Sequence, residues 1–289
     1  MKKPRKPRLP PGWYPQNPEA VKAFLDGAAA PGPVCAAAAP HAGWYYSGEI
    51  AAKAAAALAG PSGGGWEGTV AVIGGHLPGG SRPLFAAEDA VITPFGELEL
   101  DTALRDALAR KTGGGEDTGA DNTVEVLVPM VHFFFPRARL LWVRFPADVS
   151  SFEAGKTLAL AAAALKREVK VLGSTDLTHY GANYGFAPRG FGKNALEWVK
   201  NVNDRRFIEA VTGGDPGEIL ARAEREHSAC SAGAVLGALG FAAESAAGKV
   251  PPLPGIPSAR LLAYETSAAR AVTGEIPDSF VGYAAFAWI

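Results

Sequence analysis

The sequence predicts an α/β fold: a mostly parallel, mixed central sheet covered by helices on both faces, a three-layer sandwich. Two patterns predict it. Short apolar runs of strand length at 34–39, 69–73, 140–144 and 169–172 alternate with longer, alanine-rich runs of helical length, the order that builds parallel strands. Three of those strand runs also end in a turn carrying histidine: Pro40-His41-Ala42-Gly43, Gly74-Gly75-His76-Leu77 and Ser174-Thr175-Asp176-Leu177-Thr178-His179. The carboxyl ends of strands are where such a sheet presents its functional groups. With 289 residues, 48% of them hydrophobic, the chain can bury a large core.

In chain order, Lys2, Lys3, Arg5, Lys6 and Arg8 alternate with prolines, which predicts a solvated, loosely held basic arm over residues 1–14. Residues 15–289 are read as one domain. Asn17-Pro18-Glu19 marks a helix start, with the proline at the first helical position, and the helix runs to Leu25. Val34–Ala39 is a strand, on which Cys35 is a small core residue. In the turn that follows, Gly43 and Gly48 permit sharp bends, and Ser47 is the expected N-cap of a helix over Glu49–Leu58. His41 has two readings on this stretch alone: aimed into a crevice, or buried and satisfied by a carbonyl.

Gly60–Gly65 reads as a loop, and Thr69–Ile73 as a buried strand leading to His76. No Lys-Ser/Thr follows the glycines there, so a phosphate loop is excluded. Ala90–Leu98 reads as a hairpin, Asp101 as the cap of a helix to about Lys111, and 112–121 as an exposed, mobile acidic loop. Val124–Met130 is ambiguous between helix and strand, and His132, beside three phenylalanines, is read as structural. Beyond the strand at 140–144, Ser150-Ser151 opens a helix to about Arg167. Asp176, three residues before His179, either shares a helical turn with that imidazole and orients it, or is an N-cap beside a surface histidine. Helices are expected over 194–211 and 215–226. Cys230 opens a further helix whose N-terminus favours the thiolate. His227-x-x-Cys230 has ligand-like spacing, but the charged run before His227 points to exposure. Residues 251–257 read as a rigid proline loop, and 260–266 and 280–288 as closing strands.

Charge excludes some functions. With 28 basic and 29 acidic side chains, the chain is not a general nucleic-acid or membrane-surface binder. Its alanine-rich runs are too short or too interrupted to span a membrane. The basic start meets Pro10-Pro11-Gly12 rather than an apolar signal region, and two cysteines make no disulfide framework, so a reduced cytoplasmic setting is expected.

The ordered motifs resemble one family. Residues 40–48, PHAGWYYSG, are similar to the PHAGYxYSG signature of the Memo-like proteins, the B component of the AmmeMemoRadiSam group. Ser174-Thr175-Asp176-Leu177-Thr178-His179-Tyr180 resembles that family's S-S-D-L-S-H-Y segment, and Cys230 matches its cysteine at a helix start. Tyr264-Glu265-Thr266-Ser267 and 279–285 resemble its closing strands. The chain departs from the pattern at Gly74-Gly75-His76, where the family has G-P-N-H or G-P-S-H. It departs again at Trp44, for tyrosine, and at Asn122, for a histidine.

The resemblance implies a LigB-like fold, that of the class III extradiol ring-cleaving dioxygenases, which hold Fe(II) with two histidines and a glutamate. Carried over residue by residue, it implies His41, His76 and Cys230 as metal ligands. It further implies His179 as acid/base, Asp176 as its orienting group, and Tyr46 and Trp44 near the substrate. Two imidazoles and one anion leave open positions on iron, whereas a thiolate in place of a carboxylate also suits Zn(II) or Cu(I). Three functions follow from the resemblance. One is a redox or dioxygenase-type iron enzyme, and another a non-catalytic pocket for a small molecule, peptide or anion. The third is a partner of a radical S-adenosylmethionine protein and an AMMECR1-like protein.

Overall fold

The computed structural model describes residues 4–28, 32, 34–247, 257–272 and 274–288. Lys2, Lys3 and most of the proline loop at 251–257 lie outside the described residues. The strands are β1 Ala36–Ala39, β2 Thr69–Leu77, β3 Leu84–Phe85, β4 Ala90–Thr93, β5 Gly96–Glu99 and β6 Gly115–Glu116. They continue as β7 Arg139–Pro146, β8 Val169–Ser174, β9 His179–Gly181, β10 Ala259–Thr266 and β11 Ser279–Trp288. The helices are α1 Pro18–Leu25, α2 Trp44–Ala59, α3 Thr102–Thr112, α4 Asn122–Glu125 and α5 Val128–Phe134. After these come α6 Ser150–Ala164, α7 Lys193–Trp198, α8 Asp204–Gly213, α9 Pro216–Glu226 and α10 Ala232–Ala247.

One mixed sheet runs in the order β10-β11-β1-β8-β2-β7-β3-β6, with β9 also paired to β11. Its centre, β1-β8-β2-β7, is parallel, and β11 closes one side antiparallel to β1. Alternation within the central strands feeds two separate cores. Ala37, Ala39, Val70, Val72, Leu140 and Trp142 face the layer of α1, α2, α4 and α5. Ala36, Ala38, Ala71, Ile73, Leu141 and Val143 face the layer of α3, α6 and α8–α10. A strand buried on both faces must be apolar throughout, which is why these runs carry no polar alternation. The result is the expected three-layer sandwich. Among the described residues, no helix is long and apolar enough to cross a membrane.

Several local expectations hold. Asn17 caps α1 by accepting from Ala20 N–H at 2.8 Å, and the β4–β5 hairpin forms as read. Others change. α2 begins at Trp44, with Gly43 at its cap, and the Ser47 hydroxyl donates back to Ala42 O at 3.1 Å instead of capping. The ambiguous stretch is helical, as α4 and α5. The helix expected over 194–211 is interrupted by a π-turn at Val199–Asn203. That extra-wide turn brings Asn203 and Asp204 together beneath the connector after β8. There Asn203 Nδ2 donates to Thr178 Oγ1 at 2.9 Å, and Asp204 accepts from Thr178 N–H at 3.1 Å.

The N-terminal arm and the acidic loop are exposed over much of their length, including Lys6, Arg8 and 118–120, but they are pinned to each other rather than loosely held. Arg5 is only 2% exposed: its guanidinium lies 4.4 Å from the centre of the Trp142 ring and donates to Asp117 O at 2.7 Å and Gly119 O at 2.8 Å. Asp117, in the supposed mobile loop, is buried and accepts from Trp142 Nε1 at 2.9 Å. The next part of the arm is tied to buried Glu125, which accepts from Arg8 N–H and Leu9 N–H, each at 2.9 Å. Arm and loop satisfy several of each other's polar groups, which anchors both segments to the surface of the domain.

Candidate metal centre and cleft

Three parallel strands deliver the polar groups. His41 follows β1, His76 sits at the end of β2, and β8 runs through Ser174 into the connector 175–178 that leads to His179. Cys230 arrives from the other direction, in the segment between α9 and α10. That segment hangs on the connector: Cys230 N–H donates to Asp176 O at 3.2 Å and Ser231 N–H to Thr175 Oγ1 at 3.2 Å. His41 Nε2 then lies 3.2 Å from Cys230 Sγ. The His41 and His76 rings are 5.0 Å apart at 86°, and donor atoms of His41, His76 and Cys230 all fall within 4.8 Å of one another.

Each imidazole is keyed through Nδ1, His41 to Ser174 Oγ at 2.8 Å and His76 to Asp121 Oδ2 at 3.1 Å. The opposite edge of each ring is left for the shared centre. The close approach depends on Gly75, since a Cβ there would come within 2.5 Å of Ser231 Oγ and 3.0 Å of its Cα.

The electrostatics are mutual. Burial alone would push the Cys230 thiol up, but the two imidazoles, His41 first, hold it well below its ordinary range. Burial alone would likewise lower both histidines. The Cys230 thiolate and then Asp176 hold His41 up, while the hydrogen bond to Asp121 and then the Cys230 thiolate raise His76 to about 10. The thiolate and the imidazoles thus favour each other's charged forms, and a cation binding at these donors would compete with protons.

A cleft of about 750 Å³ opens beside the trio. His76, Asp176, His179, Tyr46, Asn122 and Tyr184 contribute to its lining, and Pro11-Gly12-Trp13 of the N-terminal segment forms part of one wall. His179 and Tyr46, read from the sequence as pocket residues, both contribute to this lining. Trp44 does not: it is buried at 3% exposure against Phe24 and Tyr14, with Nε1 donating to Val126 O at 2.9 Å, and is absent from the cleft lining. Because α2 starts at Trp44 itself, its first turn packs that ring on α1.

Asp176 is also placed differently from expectation. The 175–178 connector is not helical, so Asp176 and His179 do not share a helical turn. Asp176 accepts from His41 N–H at 2.7 Å and lies 3.9 Å from His41 Nε2, while His179 Nδ1 bonds Leu177 O at 3.1 Å. Asp176 thus braces His41. His132 is structural as read, paired with Thr93 Oγ1 at 2.6 Å, and His227 is an exposed residue in left-handed conformation outside the cluster.

Sequence reasoning passed over Ser174, Gly75, Tyr184 and Arg144. Only Ser174 left a signal, as the last residue of a buried strand, where a hydroxyl needs a partner. The donor set suits a metal: two imidazoles, each anchored at Nδ1, and one thiolate are donor types that Fe(II), Zn(II) or Cu(I) accept. His41, His76 and Cys230 can hold such an ion.

A family profile described as "Memo-like protein" matches residues 5–287. The chain belongs to the Memo-like family. Similar members include MEMO1 family protein MTH_45 of Methanothermobacter thermautotrophicus, 30% identical over 256 residues, with 85% of this chain and 81% of that protein covered. A MEMO1 family protein of Thermococcus onnurineus is 28% identical over 265 residues, covering 87% and 85%. Among solved structures, the chain is similar to the uncharacterized protein JW3007 from Escherichia coli K12, with TM-score 0.40 and 13% identity over 76% of this chain and 85% of that one. In this Memo-like chain two of the three departures from the family pattern have different settings. Trp44 is a core residue, whereas Asn122 lines the cleft and donates to His41 O at 3.0 Å.

Proposed function

We propose that the protein is a metal-dependent oxidoreductase of dioxygenase type, with His41, His76 and Cys230 holding Fe(II), and Zn(II) or Cu(I) as the alternatives that a thiolate admits. The substrate is a small organic molecule carrying an ionisable hydroxyl. The observation that supports this reading is the placement of the donor trio beside a cleft whose lining includes a separate histidine.

When bound, a redox-active ion supplies Lewis acidity and electron transfer. The chain's own groups do the rest. A carbonyl can only accept, so the bond from His179 Nδ1 to Leu177 O fixes the proton on Nδ1 and leaves Nε2 free to take a proton from a substrate hydroxyl and return it. Tyr184 meets the His179 ring edge-on at 4.9 Å and 83°, which limits its rotation. Tyr184 and Tyr283 line the cleft, and burial raises both phenols, so they remain O–H donors that orient a ligand oxygen at neutral pH.

The test is metal analysis after anaerobic purification and Fe(II) titration, followed by O₂ uptake with a series of catechols. Near-stoichiometric iron in wild type, lost in His41→Ala, with O₂ uptake that falls about 10²–10⁴-fold in His179→Gln, agrees with the proposal. Tight zinc without O₂ uptake moves the reading to Lewis-acid chemistry. No metal after titration sinks it. A second reading, ligand binding without turnover, draws on the exposed Tyr45–Tyr46 pair at the cleft rim and predicts binding that survives chelation.

A further inference from the structure

The geometry points to a buried carboxylate–arginine network that positions His76: Asp121 and Arg144 are positioning residues for that ring, and Arg5 from the N-terminal segment completes their support. The inference rests on His76 being a metal donor.

The two histidines of the trio are held differently. His41 is 1% exposed, enclosed by Ser174, Cys230 and Asp176. The His76 side chain is 34% exposed, on the open side, and its backbone sits at φ 55°, a region that non-glycine residues rarely adopt. Core packing therefore does not fix the His76 ring, and hydrogen bonds must.

Asp121 supplies the first bond, with Oδ2 3.1 Å from His76 Nδ1. Its other oxygen accepts from Thr123 N–H at 2.9 Å and from the Thr123 hydroxyl. Arg144 then fixes both the carboxylate and the backbone of the turn, with NH1 3.1 Å from Asp121 Oδ2 and 3.3 Å from Gly75 O, the residue before His76. The same guanidinium is anchored behind by Asp117 through two bonds of 3.2 Å. Arg5 closes the network by donating to Asp117 O and Gly119 O, on the segment that carries both aspartates.

Arg5 pairs with Asp117 and Glu88, and Arg144 with Asp117 and Asp121, so each buried charge has a partner of opposite sign, the condition under which burial of ions is tolerated. Arg5, Asp117, Asp121 and Arg144 are all absent from the cleft lining. Their effect on the site runs through His76. A carboxylate accepts only, so the Asp121 bond places the proton on Nδ1 and presents the Nε2 lone pair to the shared centre.

The experiment uses Co(II) as a spectroscopic probe on full-length protein, with folding checked by circular dichroism. Asp121→Ala should weaken Co(II) binding about 10–100-fold and alter the visible ligand-field bands, with Asp121→Asn, which keeps one acceptor oxygen, falling between it and wild type. Arg144→Met should shift affinity in the same direction. His41→Ala serves as the donor-loss control. Wild type that binds Co(II), with Asp121→Ala and Arg144→Met of unchanged affinity and spectrum, overturns the positioning inference alone. Wild type that binds no Co(II) overturns the metal reading and this inference with it. Should the variants misfold, nitrogen-15 NMR of Zn(II)-titrated wild type decides. His76 protonated on Nδ1, with Nε2 shifted by the metal, supports the network; a proton on Nε2 refutes it.

Discussion

Gly75 is the point at which a single methyl group should separate fold from function. Its backbone occupies a region open to any residue, so Gly75→Ala introduces no conformational strain, only contact. The new Cβ would lie 2.5 Å from Ser231 Oγ and 3.0 Å from Ser231 Cα, where non-bonded heavy atoms normally stand about 3.5 Å apart. The end of β2 and the Cys230 turn must therefore part by about 0.5–1 Å. Overpacking of this kind costs about 1–3 kcal/mol, which in a domain of this size lowers Tm by about 2–5 °C. Since His76 follows Gly75 and Cys230 precedes Ser231, the same displacement widens the gap between two donors. Metal sites tolerate only about 0.2 Å of error in ligand distance, so Co(II) affinity should fall by at least about tenfold. Thermal unfolding of the metal-free variant and a Co(II) titration measure the two effects separately. A Gly75→Ala protein that binds Co(II) as wild type does would refute the claim that this glycine sets the donor spacing, whatever its Tm.

Other perturbations give distinct signatures. The Cys230 thiolate, held low by His41 and His76, should react with iodoacetamide in metal-free protein well below the usual thiol range. His41→Ala should slow that reaction at pH 6, and an unchanged rate would remove His41 as the source. Burial pushes the Asp204 carboxyl up to about 6 against about 3.9 in an unfolded chain. The native state then keeps a proton that the unfolded state releases, so this contribution is complete below pH ~4 and is lost as pH rises through ~6, about 3 kcal/mol at most. Urea titrations from pH 4 to 7 should show this fall in wild type and a flatter profile in Asp204→Asn; parallel profiles would contradict it. Arg5→Ala uncovers the Trp142 face and strands two carbonyls, for a loss of about 2–4 kcal/mol. It should speed tryptic cleavage after Arg8, and equal cleavage rates would mean that the segment is held without Arg5.

How much was legible depended on how far away each residue's partner lies in sequence. The parallel strands were readable because a doubly buried strand is apolar by itself, and the histidines at their ends because the fold collects such turns on one edge. Residues whose roles depend on distant partners were not. Arg5 bonds a carbonyl 112 residues away, so its basic, proline-rich surroundings looked like solvated chain. Asp117 lay in a glycine-rich acidic stretch, with its indole and guanidinium partners on β7. The spacing of Asp176 and His179 suggested a helical turn, but β8 ends at Ser174 and β9 begins at His179, each paired to other strands, and the four residues between form no helix. Trp44 was read as a pocket residue from its place in the motif, and helix phase decided otherwise.

His41 and Cys230 touch across 189 residues of chain, and no two of the three donors belong to the same strand–turn segment. A nascent chain therefore carries no local chelate: His41 and His76 emerge well before the thiol that completes the set, which follows His76 by 154 residues (230 − 76). The centre exists once the parallel strands are in register and α10 has docked. If the site takes an ion, loading would then follow folding rather than drive it, unlike a zinc finger, whose folding waits for its ion. An ion that binds only the native state adds to stability through its occupancy, about 2.7 kcal/mol at a hundredfold excess over Kd. Under this order of events chelation should leave a folded, empty protein that accepts whichever suitable ion is then present. The identity of the bound metal would be settled by cellular supply after synthesis as much as by the donors themselves.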